Sequence, residues 1–323
     1  MLSAIGNRAR AWVATSDPFT NVYGVARSIL AVSGVLTLWL SGTDALFRPV
    51  VGIPDFPICT GVRAAGIYCL GAPHLTLMRW VSILVCLIVA TGWRPRFTGV
   101  VHAYVAFSLQ ANAVSIEGGD QVIAILTLLL VPVTLLDDRR WHWSSPVERP
   151  LDRREEARRL VAKSCFSLIR LQVCGIYFHA AVGKLAVAEW TDGTALYYWF
   201  LHPTFGAPSW LMPVLKVIVL NGTVLTLVTW GVLVVEYALS CGLLMAKRYW
   251  AILLVLGIAL HAGIAVIHGL VSFSIAMMAA LVLYLRPIER PFALPGGIPA
   301  LVARLRALPR GARDLPVTDH AQR

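Results

Sequence analysis

Charged side chains are scarce in this sequence of 323 residues: only 14% are Asp, Glu, Lys or Arg, while 58% are apolar. A typical soluble domain is about 45–50% apolar and about 25% charged. The chain therefore lacks the polar surface that a fold in water requires, which excludes soluble, fibrous and disordered proteins. A membrane-spanning helix needs roughly 20 apolar residues. The composition thus predicts an all-α, polytopic integral membrane protein built as a helical bundle.

The N-terminus also lacks the features of a cleaved signal peptide, since polar residues and no small-residue cleavage site follow its first arginines. Long apolar runs separated by Arg, Pro or Gly clusters predict eight spans. These spans are 22–42, 75–93, 97–115, 120–136, 164–188, 221–246, 249–268 and 270–286. They divide the chain into a cytosolic N-terminus, 1–21, a transmembrane domain, 22–286, and a basic cytosolic tail, 287–323, which is predicted to be partly disordered.

Acidic residues are few, 17 against 28 Lys and Arg, which leaves a formal net charge of +11. Most of the basic residues lie in the N-terminus, in the tail and in the alternate loops on the same side, and cytoplasmic segments retain positive charge. This distribution predicts that both termini are cytoplasmic. It also excludes a nucleic-acid-binding face, which would gather basic residues on one surface, and it indicates contact with anionic membrane lipids.

Cysteines are few as well, and none of the six has the spacing of a metal site, so no metal is predicted. Cys59 and Cys69 lie in the loop between the first two spans. The charge pattern places this loop outside the cytoplasm, where disulfides persist. The sequence predicts a disulfide between the two residues, acting as a structural staple or as a thiol-exchange pair. Two independent thiols are the alternative.

Polar side chains inside the spans are rare, and ionisable ones are costly enough there to be functional candidates. The predicted orientation places several of them in the outer leaflet: Asn112, Asp120, His179, Lys184, His261 and His268. If their helices converge, these residues form a polar cavity beneath the outer surface. Trp190, in the aromatic segment 189–213, belongs to a lid over that cavity or to an interfacial aromatic belt.

These candidates also have structural interpretations. Lys184 lies close enough to the end of its span to extend its amine to the interface. A lone buried histidine such as His261 is commonly a hydrogen-bonded interior group. Arg170 and Glu236, which lie in consecutive predicted spans, are predicted to form a structural ion pair.

Three segments carry a resemblance to a known family. They are Tyr177-Phe-His-Ala-Ala-Val-Gly-Lys184 followed by Glu189-Trp190, then Ser108-Leu-Gln-Ala-Asn112 followed by Gly118-Gly119-Asp120, and Leu-Leu-Asp-Asp-Arg-Arg-Trp-His-Trp from Leu135 to Trp143. The first two resemble the HTTM family, which is related to vitamin K-dependent γ-carboxylase. The third is similar to the bacterial branch typified by the sporulation-delaying protein B family.

The resemblance implies a catalytic role for Lys184, together with His179. In the carboxylase relatives the matching lysine is the base, or the partner of the base, for oxygenation of a reduced quinone. That chemistry needs a neutral amine, which a desolvated cavity favours. Asn112 and Asp120 would position the substrate. The outer loops here are too short to supply the large lumenal region of the carboxylases, so glutamate carboxylation is not expected.

The bacterial branch implies a multi-pass protein of the cytoplasmic membrane that assists maturation of an exported antimicrobial peptide, together with a small accessory protein. A quinone-dependent membrane oxidoreductase is an alternative with the same ancestry. A non-catalytic scaffold or immunity protein is a third interpretation, in which the polar residues only pack helices.

Overall fold

A computed structural model describes residues 2–52, 56–114 and 116–293. Within them the helices are α1 (Leu2–Ala14), α2 (Asn21–Leu40), α3 (Thr43–Leu46), α4 (Ile67–Leu70), α5 (Leu75–Ala90), α6 (Pro95–Asn112), α7 (Gly118–Leu135), α8 (Arg153–Leu185), α9 (Ala188–Thr191), α10 (Ala195–Phe200), α11 (Met212–Val219), α12 (Gly222–Ser240), α13 (Trp250–His268) and α14 (Val271–Leu285). Residues 294–323 of the predicted tail, 287–323, lie outside the described residues.

The eight predicted spans coincide with the eight long helices α2, α5, α6, α7, α8, α12, α13 and α14. Five of these, α2, α7, α8, α12 and α13, are long and apolar enough to cross a membrane, and α5 and α14 are shorter apolar helices. The more polar α6 carries His102 and Asn112. The prediction of an all-α membrane protein is confirmed, whereas the number of spans and their orientation stay predictions.

The longest helix, α8, runs for 33 residues, or about 50 Å. Asp152 begins it, because its side chain accepts a hydrogen bond from the backbone N–H of Glu155. Within the first turn Glu155 accepts hydrogen bonds from Arg158 and Arg159, both at 2.8–2.9 Å. The helix therefore extends the predicted fifth span without a break through its charged N-terminal part.

Two regions of helix packing position the candidate sites. In the first, α2 packs against α5 and α14, and α6 packs against α7. In the second, α8 packs against α12, and α13 packs against α12 and α14. Gly269, at φ +70°, ends α13 in a left-handed conformation that favours glycine and separates it from α14.

The loop between α3 and α5 is closed by a disulfide between Cys59 and Cys69, as the sequence predicts. Its α4 helix packs Tyr68, which is fully buried, against a cluster that includes Phe47 and Leu109. The loop is therefore anchored to the bundle by apolar contacts as well as by the disulfide.

Candidate functional site

A partly buried ion pair joins α8 to α12. The amine of Lys184 donates to both carboxylate oxygens of Glu236, at 2.9 and 2.8 Å from Oε1 and Oε2. The lysine side chain is 23% exposed and the glutamate side chain 10%. The ring of Trp190 lies 5.2 Å from the amine, within the range of a cation–π contact. The lysine is thus held between a carboxylate and an aromatic ring.

This pairing corrects the predicted ion pair between Arg170 and Glu236. Arg170 instead stacks its guanidinium on the ring of Trp250, 5.2 Å from the ring centroid. It lies 14 residues before Lys184 on α8, which is about 21 Å along the helix axis. The prediction was wrong because it matched the two residues by approximate depth. The crossing of α8 and α12 brings Glu236 within reach of the lysine.

A second polar contact lies between α8 and α13. Tyr177 Oη and His261 Nε2 are 2.8 Å apart, and both residues are almost fully buried. The other ring nitrogen of His261, Nδ1, is also buried and has no hydrogen-bond partner in the part of the chain that the structure describes. The ring packs edge-on against Phe273 of α14.

The segment from α9 to α11 contacts the ion pair through Trp190. The buried face of Trp190 belongs to an apolar cluster formed by residues of α9, α10, α11 and α12, which includes Leu196, Phe200, Leu215 and Leu233. We call this segment, 187–221, the cap. His268 at the end of α13 bonds through Nδ1 to the carbonyl of Phe205 at 2.8 Å, so the cap is also tied to α13.

The other predicted site residues lie in separate places. His179 is exposed and lines a groove with Gln172 and Phe273. It lies five residues before Lys184, which is about 140° around α8. His179 and Lys184, the predicted reactive pair, therefore lie on different sides of α8.

Asn112 and Asp120 have local partners of their own. Asn112, at the end of α6, contacts the disulfide loop. Asp120 forms a capping box with Glu117 at the start of α7. The predicted polar cavity is therefore divided among the ion pair, the Tyr177–His261 contact, the disulfide loop and a helix cap.

Sequence comparisons identify the family. No family model and no solved structure matches the chain. The uncharacterized protein YitO of Bacillus subtilis (strain 168) is 41% identical over 276 residues, which cover 84% of this chain and 87% of YitO. The sporulation-delaying protein SdpB of the same organism is 34% identical over 287 residues, which cover 88% of this chain and 87% of SdpB. The chain belongs to the SdpB family.

This membership confirms the predicted SdpB-like branch, while the wider resemblance to the HTTM family stays a prediction. The segment from Leu135 to Trp143 carries the resemblance to this branch. It begins at the last residue of α7 and contacts α2 through Asp137 and His142. The sequence interpretation assigned its residues no role. The structure shows that they form a buried polar network.

Asp137 is the centre of that network. Its fully buried carboxylate accepts hydrogen bonds from the backbone and guanidinium N–H groups of Arg139, at 2.8–3.1 Å, and from the hydroxyl of Tyr23. Arg139 in turn donates to the carbonyl of Ser144 at 2.6 Å. An ion pair without exposure to water is favourable only when its remaining donors and acceptors are satisfied, and here neighbouring groups supply them.

His142 extends the network toward the middle of α2. Burial, with Arg27 and Arg139 nearby, holds the pKa of His142 well below its usual range, so the ring is neutral. Its Nδ1 can accept from Arg27 at 3.4 Å, and its Nε2–H can donate to Ser28 at 3.2 Å. Gly92, at φ +81°, makes room for the ring, since a Cβ there would lie 2.4 Å from it. The family segment thus locks the α7–α8 loop to α2.

Replacing Tyr177 with Phe is expected to lower the free energy of unfolding by about 1–3 kcal/mol, because the imidazole of His261 would lose its hydrogen bond to the Tyr177 hydroxyl while remaining buried. The measurement is thermal unfolding of the purified protein in detergent. Tyr198→Phe is a matched control, since Tyr198 is exposed on α10. Equal melting temperatures for the two variants would contradict the importance of this contact.

Proposed function

We propose that the protein assists maturation of an exported peptide on the outer side of the bacterial cytoplasmic membrane, and that the Lys184–Glu236 pair is its peptide-handling site. The resemblance to the sporulation-delaying protein B family implies a peptide substrate, and the 34% identity to SdpB supports membership of that family. The observation that carries the proposal is a charged pair, partly buried between membrane helices and contacted by Trp190 of the cap.

The chemistry of the pair fits a peptide. A carboxylate can bind a peptide amine, and an ammonium can bind a peptide carboxylate or a carbonyl oxygen. While the site is empty the two groups neutralise each other, so neither is left as an uncompensated charge among apolar helices. A peptide that enters beneath the cap would exchange these partners for its own polar groups. Trp190 would then line the site with an apolar face.

Glu236 takes the place of His179 as the partner of Lys184 in this proposal. The carboxylate lies within hydrogen-bond distance of the amine, whereas His179 lies on another side of the helix. For Lys184 to act as a base, Glu236 would first have to release the amine. A reduced quinone as cofactor belongs to the alternative oxidoreductase function, and a small accessory protein as partner belongs to the peptide-maturation function.

The proposed function predicts a change in exported peptides. Cells that express this protein are expected to secrete at least tenfold more mature peptide than cells that lack it. Cells that lack it are expected to secrete the unprocessed precursor instead. Mass spectrometry of the culture medium, with identical precursor expression in both strains, measures the two forms. If the secreted peptide showed the same cleavages and cross-links in both strains, with normal levels of this protein in the expressing strain, the result would contradict peptide maturation. It would favour a scaffold or a small-molecule enzyme.

A further inference from the structure

The amide of Asn112 contacts one sulfur of the disulfide. Asn112 is fully buried at the end of α6. Its Nδ2 donates to the carbonyl of Arg63 at 3.0 Å, and it also lies 3.3 Å from Cys69 Sγ and 3.4 Å from the carbonyl oxygen of Ile58. Its Oδ1 is buried without a hydrogen-bond partner in the described residues. The orientation of the amide is therefore set by what its N–H groups contact, and one of those contacts is the sulfur.

The two sulfurs differ in their surroundings. Cys59 is an exposed residue, whereas Cys69 is half-buried. Each sulfur also has a backbone carbonyl beside it: the oxygen of Pro57 lies 3.2 Å from Cys59 Sγ, and the oxygen of Ile58 lies 3.6 Å from Cys69 Sγ. A disulfide has no hydrogen to donate to these oxygens, but a thiol has one. The loop thus already holds acceptors for the reduced form of both cysteines.

We propose that the Cys59–Cys69 disulfide is a site of thiol–disulfide exchange with a thiol-bearing exported peptide, and that Asn112 is the positioning residue that makes Cys69 the leaving thiolate. The choice of substrate rests on the proposed function, whereas the reactivity of the disulfide rests on the geometry of the loop. The inference therefore assigns to the loop a chemistry separate from the Lys184–Glu236 site.

The exchange follows from the chemistry of thiolates. A thiolate of the peptide attacks Cys59 Sγ, the Cys59–Cys69 bond breaks, and the electron pair leaves on Cys69 as a thiolate next to the Asn112 amide. A leaving thiolate that is stabilised leaves faster. A second peptide thiolate then attacks the mixed disulfide at the peptide sulfur. This step yields a peptide disulfide and leaves Cys59 and Cys69 reduced, so each protein oxidises one dithiol peptide.

The position of attack can be measured on the purified full-length protein. The oxidised protein is mixed with reduced glutathione for a short time, and free thiols are then blocked with N-ethylmaleimide. Peptide mapping by mass spectrometry is expected to find glutathione on Cys59 and the blocking group on Cys69. The opposite placement, or a disulfide that does not react while the protein is folded, would overturn the proposal. A synthetic dithiol peptide should be oxidised in a ratio of about one to one.

The role of Asn112 is tested by its isosteric variant. Asn112→Asp removes the N–H donor and adds a negative charge, so the reaction with glutathione is expected to slow at least tenfold. Ser108→Ala is the matched control, because Ser108 Oγ accepts from Ile67 in the same loop and touches neither sulfur. Its rate should stay within twofold of the wild type. Equal rates for all three proteins would overturn the assignment of Asn112. None of these assays depends on Lys184 or on peptide processing, so their outcome is separate from that of the proposed function.

Discussion

The double variant Lys184→Met/Glu236→Leu is expected to fold normally and to abolish peptide maturation. Both partners of the pair become apolar side chains of similar size, so no unpaired charge remains between α8 and α12. Replacing a buried ion pair by apolar residues in this way is often neutral or stabilising. The yield and melting temperature should therefore match those of the wild type, while mature peptide in the medium falls at least tenfold. This combination separates a functional pair from one that only holds helices together.

The single variants give the complementary result. Lys184→Met leaves the Glu236 carboxylate without its partner, and Glu236→Leu leaves the ammonium without its partner. Each is expected to lower both stability and peptide output, since removing one member of a buried pair is costly. Lys247→Met is the control for loss of a lysine, because Lys247 is exposed between α12 and α13, outside the cap. A double variant that still produces mature peptide at the wild-type level would show that the pair is structural.

Replacing Asp137 with Ala is expected to destabilise the protein by about 3–5 kcal/mol, because Arg139 and Tyr23 would be left buried without their acceptor. Since the total stability of a domain is about 5–15 kcal/mol, this loss is a large part of it, and both the yield and the melting temperature are expected to fall. The measurements are the yield of membrane-inserted protein and its melting temperature in detergent.

The neighbouring residue offers a matched control. Asp138 bonds to Arg149, and both side chains are about one-third exposed, at 33% and 34%. An ion pair with this exposure is worth about 0–1 kcal/mol, so Asp138→Ala should give nearly the wild-type yield. If the two alanine variants were equally stable, the network around Asp137 would not be the anchor of the α7–α8 loop.

The positions of the long helices could be predicted from the sequence because the membrane imposes a local requirement. Each span must be a continuous apolar run that satisfies its own backbone hydrogen bonds, and such runs are visible without knowledge of their neighbours. The disulfide between Cys59 and Cys69 was predicted for a similar reason, since two cysteines in one short loop have little choice of partner.

The partners of polar side chains were not predictable in the same way. Lys184 and Glu236 are separated by 52 residues, and only the crossing of their helices brings them together. His179 was assigned to the site by the family resemblance and by its predicted place in the same leaflet as Lys184, although five residues along a helix put the two side chains on different faces. The structure adds that His179 lines a groove of its own. The network around Asp137 was visible only as a family motif, because its partners Tyr23, Arg27 and Ser28 come from α2.

By itself, the sequence determined that this protein is an all-α membrane protein, with eight long helices in the residues that the structure describes and a disulfide-closed loop. Its segment from Leu135 to Trp143 indicated the SdpB-like branch. Only the tertiary structure decided that Lys184 binds Glu236, that Asn112 touches the disulfide and that Asp137 lies in a closed polar network. The physical reason is the distance along the chain over which each property is set. Apolar length is a property of one segment, whereas compensation of a buried charge requires a partner that another segment supplies.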